Sequence, residues 1–227
     1  MKKTIVLSVL LATFMVCQIS FAQDAPEMWE VSGAKNMGFK AKISFSDYST
    51  SRIWTSVRKN SSSVLGVSVR QDKTVDYKFT QKLGDLEAKV KMVENYASGD
   101  LGEVNKIFNL HMGDDIKFLG TIEISDDKYA FGYDLSGSDD DFECGYIADK
   151  ANNKVAIMFG NNTSTTKDRL LSRFLAHYEF RMGDKVVARV NSEGAGSAWI
   201  DPSLDDNMKL VLASCLTCIL VQKWQIQ

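Results

Sequence analysis

The chain has 227 residues, 44% of them hydrophobic and 25% charged, with two prolines and two histidines. That composition excludes collagen, coiled coil, a disulfide-dense mini-protein and wholesale disorder, and the length is ample for one large core. Two histidines leave little room for histidine-based acid–base or metal chemistry.

Met1 to Ala22 reads as a secretory signal peptide. Lys2 and Lys3 precede an uncharged apolar run from Ile5 to Val16, and Ser20-Phe21-Ala22 offers small residues at the −3 and −1 positions of a cleavage site. Val16 before Cys17 lacks the small residue that a lipid-attachment motif needs, so lipidation is excluded. Cleavage places the mature start at Gln23 and the protein in the periplasm or outside the cell. It leaves 25 basic against 29 acidic side chains, a net charge of −4, and the cysteines Cys144, Cys215 and Cys218.

Residues 23–227 read as one domain made mainly of strands. Phe39, Ala41, Ile43 and Phe45 alternate with Lys40, Lys42, Ser44 and Ser46. The same period of two recurs at Leu65–Arg70, Val75–Phe79, Leu86–Met92, Ile122–Ile124, Tyr129–Tyr133 and Val155–Phe159. One apolar and one wet face per run is the pattern of antiparallel sheet buried on a single side. Turn chemistry at Leu83-Gly84-Asp85, Ser98-Gly99-Asp100, Ser125-Asp126-Asp127 and Met182-Gly183-Asp184 separates the runs. About ten to twelve strands spaced some ten residues apart predict an antiparallel barrel, with a sandwich carrying a packed helix as the alternative. Thr165 and Asp168 offer a start for a short helix through Leu175.

The last element is a helix over about residues 203–222. Asp201 is placed to cap it, Pro202 suits its first position, and Asp205 and Asp206 suit the positive end of its dipole. Leu210 to Val221 contains no charge. Such a helix has no wet face, and twelve apolar residues fall short of the roughly 20 needed to span a bilayer. It must be enclosed by protein, which in this chain means by sheet. Cys215 and Cys218 then lie in the core as small apolar groups, since a redox Cys-x-x-Cys requires an exposed helix start.

The order of features over residues 117–224 resembles the tubby C-terminal-like superfamily, which includes the LURP-one-related proteins and the phospholipid scramblases. The resemblance rests on Lys117-Phe118-Leu119-Gly120-Thr121-Ile122, on Val186-Val187-Ala188-Arg189-Val190, and on Trp199-Ile200-Asp201-Pro202 leading into Lys209–Ile219. It implies a barrel threaded by its C-terminal helix and a binding scaffold with lipid affinity. The basic residues with which tubby domains hold headgroups do not align here, so none is carried over.

Charge is segregated along the chain. Residues 35–91 hold 12 Lys and Arg against 5 acids, whereas residues 92–149 hold 3 against 14. Within the basic part, Lys40 and Lys42 share a strand's wet face, and Arg52, Arg58 and Lys59 surround Trp54. Cations beside an aromatic ring suit a phosphate or lipid headgroup, so these six are the candidate ligand-binding residues. Asp139-Asp140-Asp141 matches no EF-hand spacing, because three consecutive side chains cannot all turn inward. His111 and His177 have no His or Cys partner within five residues, and no Gly-x-Ser-x-Gly, P-loop or dinucleotide fingerprint occurs.

The expectation is therefore an exported, non-catalytic binding scaffold with neither cofactor nor metal. Its expected partner is a lipid or a protein of the cell envelope. Nucleic acid is disfavoured by the acidic mature chain, and no transmembrane span is expected in it. The alternatives are a structural or interaction protein of the envelope and a carboxylate-dependent hydrolase.

Overall fold

The computed structural model describes residues 27–33, 42–64, 67–94, 118–133, 143–159 and 177–225. The signal segment, Lys40, His111, the 165–175 helix and the Asp139–Asp141 loop lie outside the described residues. Among the described residues thirteen strands precede one helix: β1 Trp29–Glu30, β2 Ser44–Phe45, β3 Tyr48–Thr50, β4 Trp54–Val64, β5 Val67–Leu83, β6 Leu86–Glu94 and β7 Phe118–Ile124. Then come β8 Asp127–Tyr133, β9 Glu143–Asp149, β10 Lys154–Phe159, β11 His177–Met182, β12 Lys185–Asn191, β13 Ser197–Ile200 and the helix α1, Asp206–Gln225.

Twelve strands form one antiparallel path, β1-β13-β12-β11-β10-β9-β8-β7-β6-β5-β3-β2, with β4 paired to β5 beside it. The two ends of the path meet where Ser32 N donates to Ser44 O at 2.8 Å and Ser44 N to Ser32 O at 3.1 Å. A nearly closed barrel is therefore the architecture, not a sandwich. The long strand β5 unites two runs that periodicity alone separates, because Val67–Lys78 pairs with β4 while Val75–Leu83 pairs with β6.

The closing seam depends on Gly33. Its φ of +92° favours glycine, and a Cβ there would stand 2.0 Å from the Lys42 carbonyl oxygen. Gly33→Ala should therefore open the seam, costing roughly 1–3 kcal/mol for the backbone alone before the clash is counted. Hydrogen exchange should show the Ser32 and Ser44 amides losing protection while those of β7 and β8 keep theirs. Unchanged exchange at both serines would contradict this reading of the seam.

Gly120 answers a different need. A Cβ at Gly120 would meet the Phe131 ring at 2.3 Å and the Lys91 carbonyl oxygen at 2.4 Å, so the neighbouring strand's ring occupies the space a side chain would take. Phe118 stacks on Tyr133 at 5.0 Å beside it.

The helix fills the barrel. Every side chain from Leu210 to Val221 is buried, and α1 packs on β5, β6 and β7 as well as on β12 and β13. The two hydroxyls of its apolar stretch are satisfied locally or by the wall. Ser214 Oγ donates to Leu210 O at 2.7 Å, and Thr217 Oγ1 donates to Gln81 Oε1 at 2.8 Å. Cys215 and Cys218 are fully buried, with burial raising both thiols far above their usual range, and Cys144 is buried on β9.

The helix begins later than expected. Asp205, not Asp201, is the cap: its Oδ1 accepts from Met208 N at 2.9 Å. Asp201 instead holds the preceding turn, accepting from Ser203 N at 2.8 Å and from Lys185 Nζ at 2.6 Å. Those partners lower its pKa from 3.8 to about 2. A depressed carboxylate stabilises the fold above its ordinary pKa, and that contribution disappears as pH falls from about 4 through about 2. Lys185→Ala should return the Asp201 titration toward 3.8 in a carbon-detected NMR pH series. An unmoved midpoint would exclude Lys185 as the main cause.

Candidate functional site

With the interior taken by α1, binding chemistry has to lie on the outer face or at the ends. Among the described residues the wet phases of β5 and β6 supply the clearest cationic surface. The two-residue turn at Gly84-Asp85 pairs Leu83 with Leu86, and that register sets Lys78 opposite Lys91 and Thr80 opposite Lys89. Trp54 on β4 stands opposite Lys78, and Thr121 on β7 opposite Lys91. Lys78, Lys89 and Lys91 are exposed, while Phe79, Val90 and Met92 between them are buried. Among the described residues none of these three lysines has a carboxylate within ion-pair distance. Arg52 lies with its guanidinium 4.4 Å over the ring of Trp54, a side chain 61% exposed.

Of the six residues singled out from sequence, Lys40 lies outside the described residues. Arg52 and Trp54 come together on this face. Arg58 and Lys59 stand further along β4, in register with Thr74 and Lys73. Lys42 is exposed but sits at the closing seam beside Gly33. Lys78, Lys89 and Lys91 were not among the six. The signal that finds them is hairpin arithmetic: a two-residue turn after Leu83 fixes which wet-face lysines meet across the strands.

A second polar cluster lies on β11 and β12. Glu179 is wholly buried, although it stands between the inward-facing Tyr178 and Phe180. It accepts from Arg181 Nη2 at 2.6 Å and from Arg189 Nε at 3.0 Å, and Arg181 Nη1 also donates to the Asp184 carbonyl at 3.2 Å. His177 is half-buried on the same strand. Its pKa is lowered mainly by burial, with Arg189 adding to the shift and Glu179 and Glu193 opposing it. This arrangement resembles a structural ion cluster: each carboxylate oxygen accepts from one guanidinium group, and the side chain is closed off from solvent.

The end of the barrel at which α1 starts is acidic. Antiparallel pairing brings the turns after β2, β5, β7, β9, β11 and β13 to this end, with Asp47, Asp85, Asp126, Asp149, Asp184 and Asp205 in or beside them. Tyr48, whose ring lies 5.3 Å from that of Phe45, has its pKa pushed up to about 12 by burial and by nearby Asp206 and Asp47. Four of the six aspartates that meet here come from outside the acidic stretch 92–149, so the fold regroups charge that is segregated differently along the chain.

No helix among the described residues is long and apolar enough to cross a membrane. Comparison of the chain with protein-family models, curated proteins and solved structures found no match.

Proposed function

We propose that the chain is an exported, non-catalytic binding scaffold that takes an anionic headgroup on the outer face of β4, β5 and β6. One observation carries this reading: Lys78, Lys89 and Lys91 lie exposed and without ion-pair partners among the described residues, next to Arg52 stacked on the exposed Trp54. Exposed lysines at a membrane surface contribute about 1 kcal/mol each at moderate salt. An amphipathic ring beside them suits the water–lipid boundary. The signal-like start Met1–Ala22 supports export, and twelve strands around one apolar helix are the architecture that the tubby-like resemblance implies.

The test is co-sedimentation of the mature chain with vesicles of phosphatidylglycerol or of phosphatidylcholine. Retention is expected on the anionic vesicles alone, and Lys78→Glu with Lys91→Glu should lower it by tenfold or more. Raising salt should weaken it, because exposed charges are screened within about 8 Å at physiological ionic strength. Equal behaviour of the double variant and the natural chain would exclude this face as the binding surface.

A further inference from the structure

We propose that Lys78 and Lys91 form a subsite for a doubly charged anion, a phosphomonoester rather than a phosphodiester or carboxylate. The inference rests on the reading of β4–β6 as the binding face and names the charge state that the face selects. In the sheet register Lys78 stands directly opposite Lys91, which places their Cβ atoms roughly 5 Å apart on the same surface. Like charges held opposite each other across two strands repel, and neither ammonium has a carboxylate within ion-pair distance among the described residues.

The remaining charges on this face define what is left uncompensated. Asp76 lies two residues before Lys78 on β5. Glu123, opposite Lys89 on β7, is engaged by Lys128 at 3.2 Å. Lys82 pairs with Glu87. Lys89 lies on the same wet face as Lys91, two residues away on β6, and Arg52 is stacked over Trp54, itself opposite Lys78. One monoanion can neutralise a single ammonium of the opposed pair and leaves the other exposed to its neighbour. A phosphomonoester carries two charges and three terminal oxygens, so both ammoniums can donate to one group. Because such a contact in water is modest, the expected preference is about fivefold.

The probes are methyl phosphate, which carries a second ionisation near pH 6, and dimethyl phosphate, which has one charge throughout. Binding is followed at pH 7.5 by NMR of the lysine side-chain ammonium and methylene signals in the natural chain and in Lys91→Gln and Lys78→Gln. Methyl phosphate should bind about fivefold tighter than dimethyl phosphate. That margin should vanish at pH 5, where the probe becomes a monoanion, and in either variant. Vesicles of phosphatidic acid against phosphatidylglycerol separate the sources. A monoester preference seen on vesicles but not with free methyl phosphate assigns the subsite to a lipid surface, and one seen with both assigns it to the phosphate group itself. Equal affinity for both probes, together with equal retention on both vesicles, would overturn the dianion subsite. If phosphatidylglycerol vesicles still bind through the lysine face, the broader reading survives that loss. A monoester preference that persists in both glutamine variants would overturn the location.

Discussion

A chain ending at Asp205 is expected to show no cooperative unfolding transition. Leu210, Val211, Leu212, Leu216, Ile219, Leu220 and Val221 are all fully buried in the barrel. Burying an aliphatic side chain contributes about 1.5–3 kcal/mol, so these seven account for roughly 10–20 kcal/mol. That equals or exceeds the ~5–15 kcal/mol by which an entire domain is normally stable. The wall cannot close over the space, because its inward side chains are set by the strand registers, and Thr217 would leave Gln81 without its donor. Near-UV circular dichroism and thermal melting of the truncated chain provide the check. A soluble product with a sharp transition would mean that the barrel stands without its helix. The milder variant Leu216→Ala should still fold, and it should lose about 2–5 kcal/mol by the cavity it creates.

The second large effect is expected at Glu179. Its carboxylate is wholly buried and is the shared acceptor of Arg181 and Arg189. Glu179→Gln keeps the shape, removes the charge and leaves two guanidinium groups facing each other. Losing one partner of a buried ionic group costs roughly 3–5 kcal/mol, because the remaining charge is uncompensated. The exposed pair of Lys82 and Glu87 provides the contrast, since Glu87→Gln should cost under about 1 kcal/mol. Urea denaturation of both variants measures the difference directly. A loss below about 1 kcal/mol at Glu179 would show that the cluster is far better hydrated than its burial indicates.

These two results also separate what is local in this molecule from what is not. Strand phase is local. Ile122 and Ile124 are buried while Thr121 and Glu123 are less so, and Val155 and Ile157 are buried beside Lys154, as period two requires. The buried helix is local too, because twelve uncharged residues cannot present a wet face in any surroundings. The fate of Asp201 is different. In sequence it has every mark of a helix cap, yet Lys185, sixteen residues earlier, draws its carboxylate into the turn and leaves the cap to Asp205.

The candidate site divides along the same line. Arg52 and Trp54 are two residues apart, and their stacking follows from that proximity. Lys42 lies on a neighbouring stretch of chain, yet barrel closure carries it to the seam at Gly33. The opposed pair Lys78 and Lys91 exists only because the Gly84-Asp85 turn fixes a hairpin register. The burial of Glu179 exists only because β11 and β12 meet.

By itself, then, the sequence determined the strand periodicity, the enclosed helix and hence a barrel around it, since hydrophobic alternation and an all-apolar helix are properties of neighbouring residues. Tertiary structure alone decided the closing bridge between Ser32 and Ser44, the cap at Asp205 and the place of Lys42 at the seam. Each of these depends on which distant strands pair and in what register, and register is a property of the whole sheet.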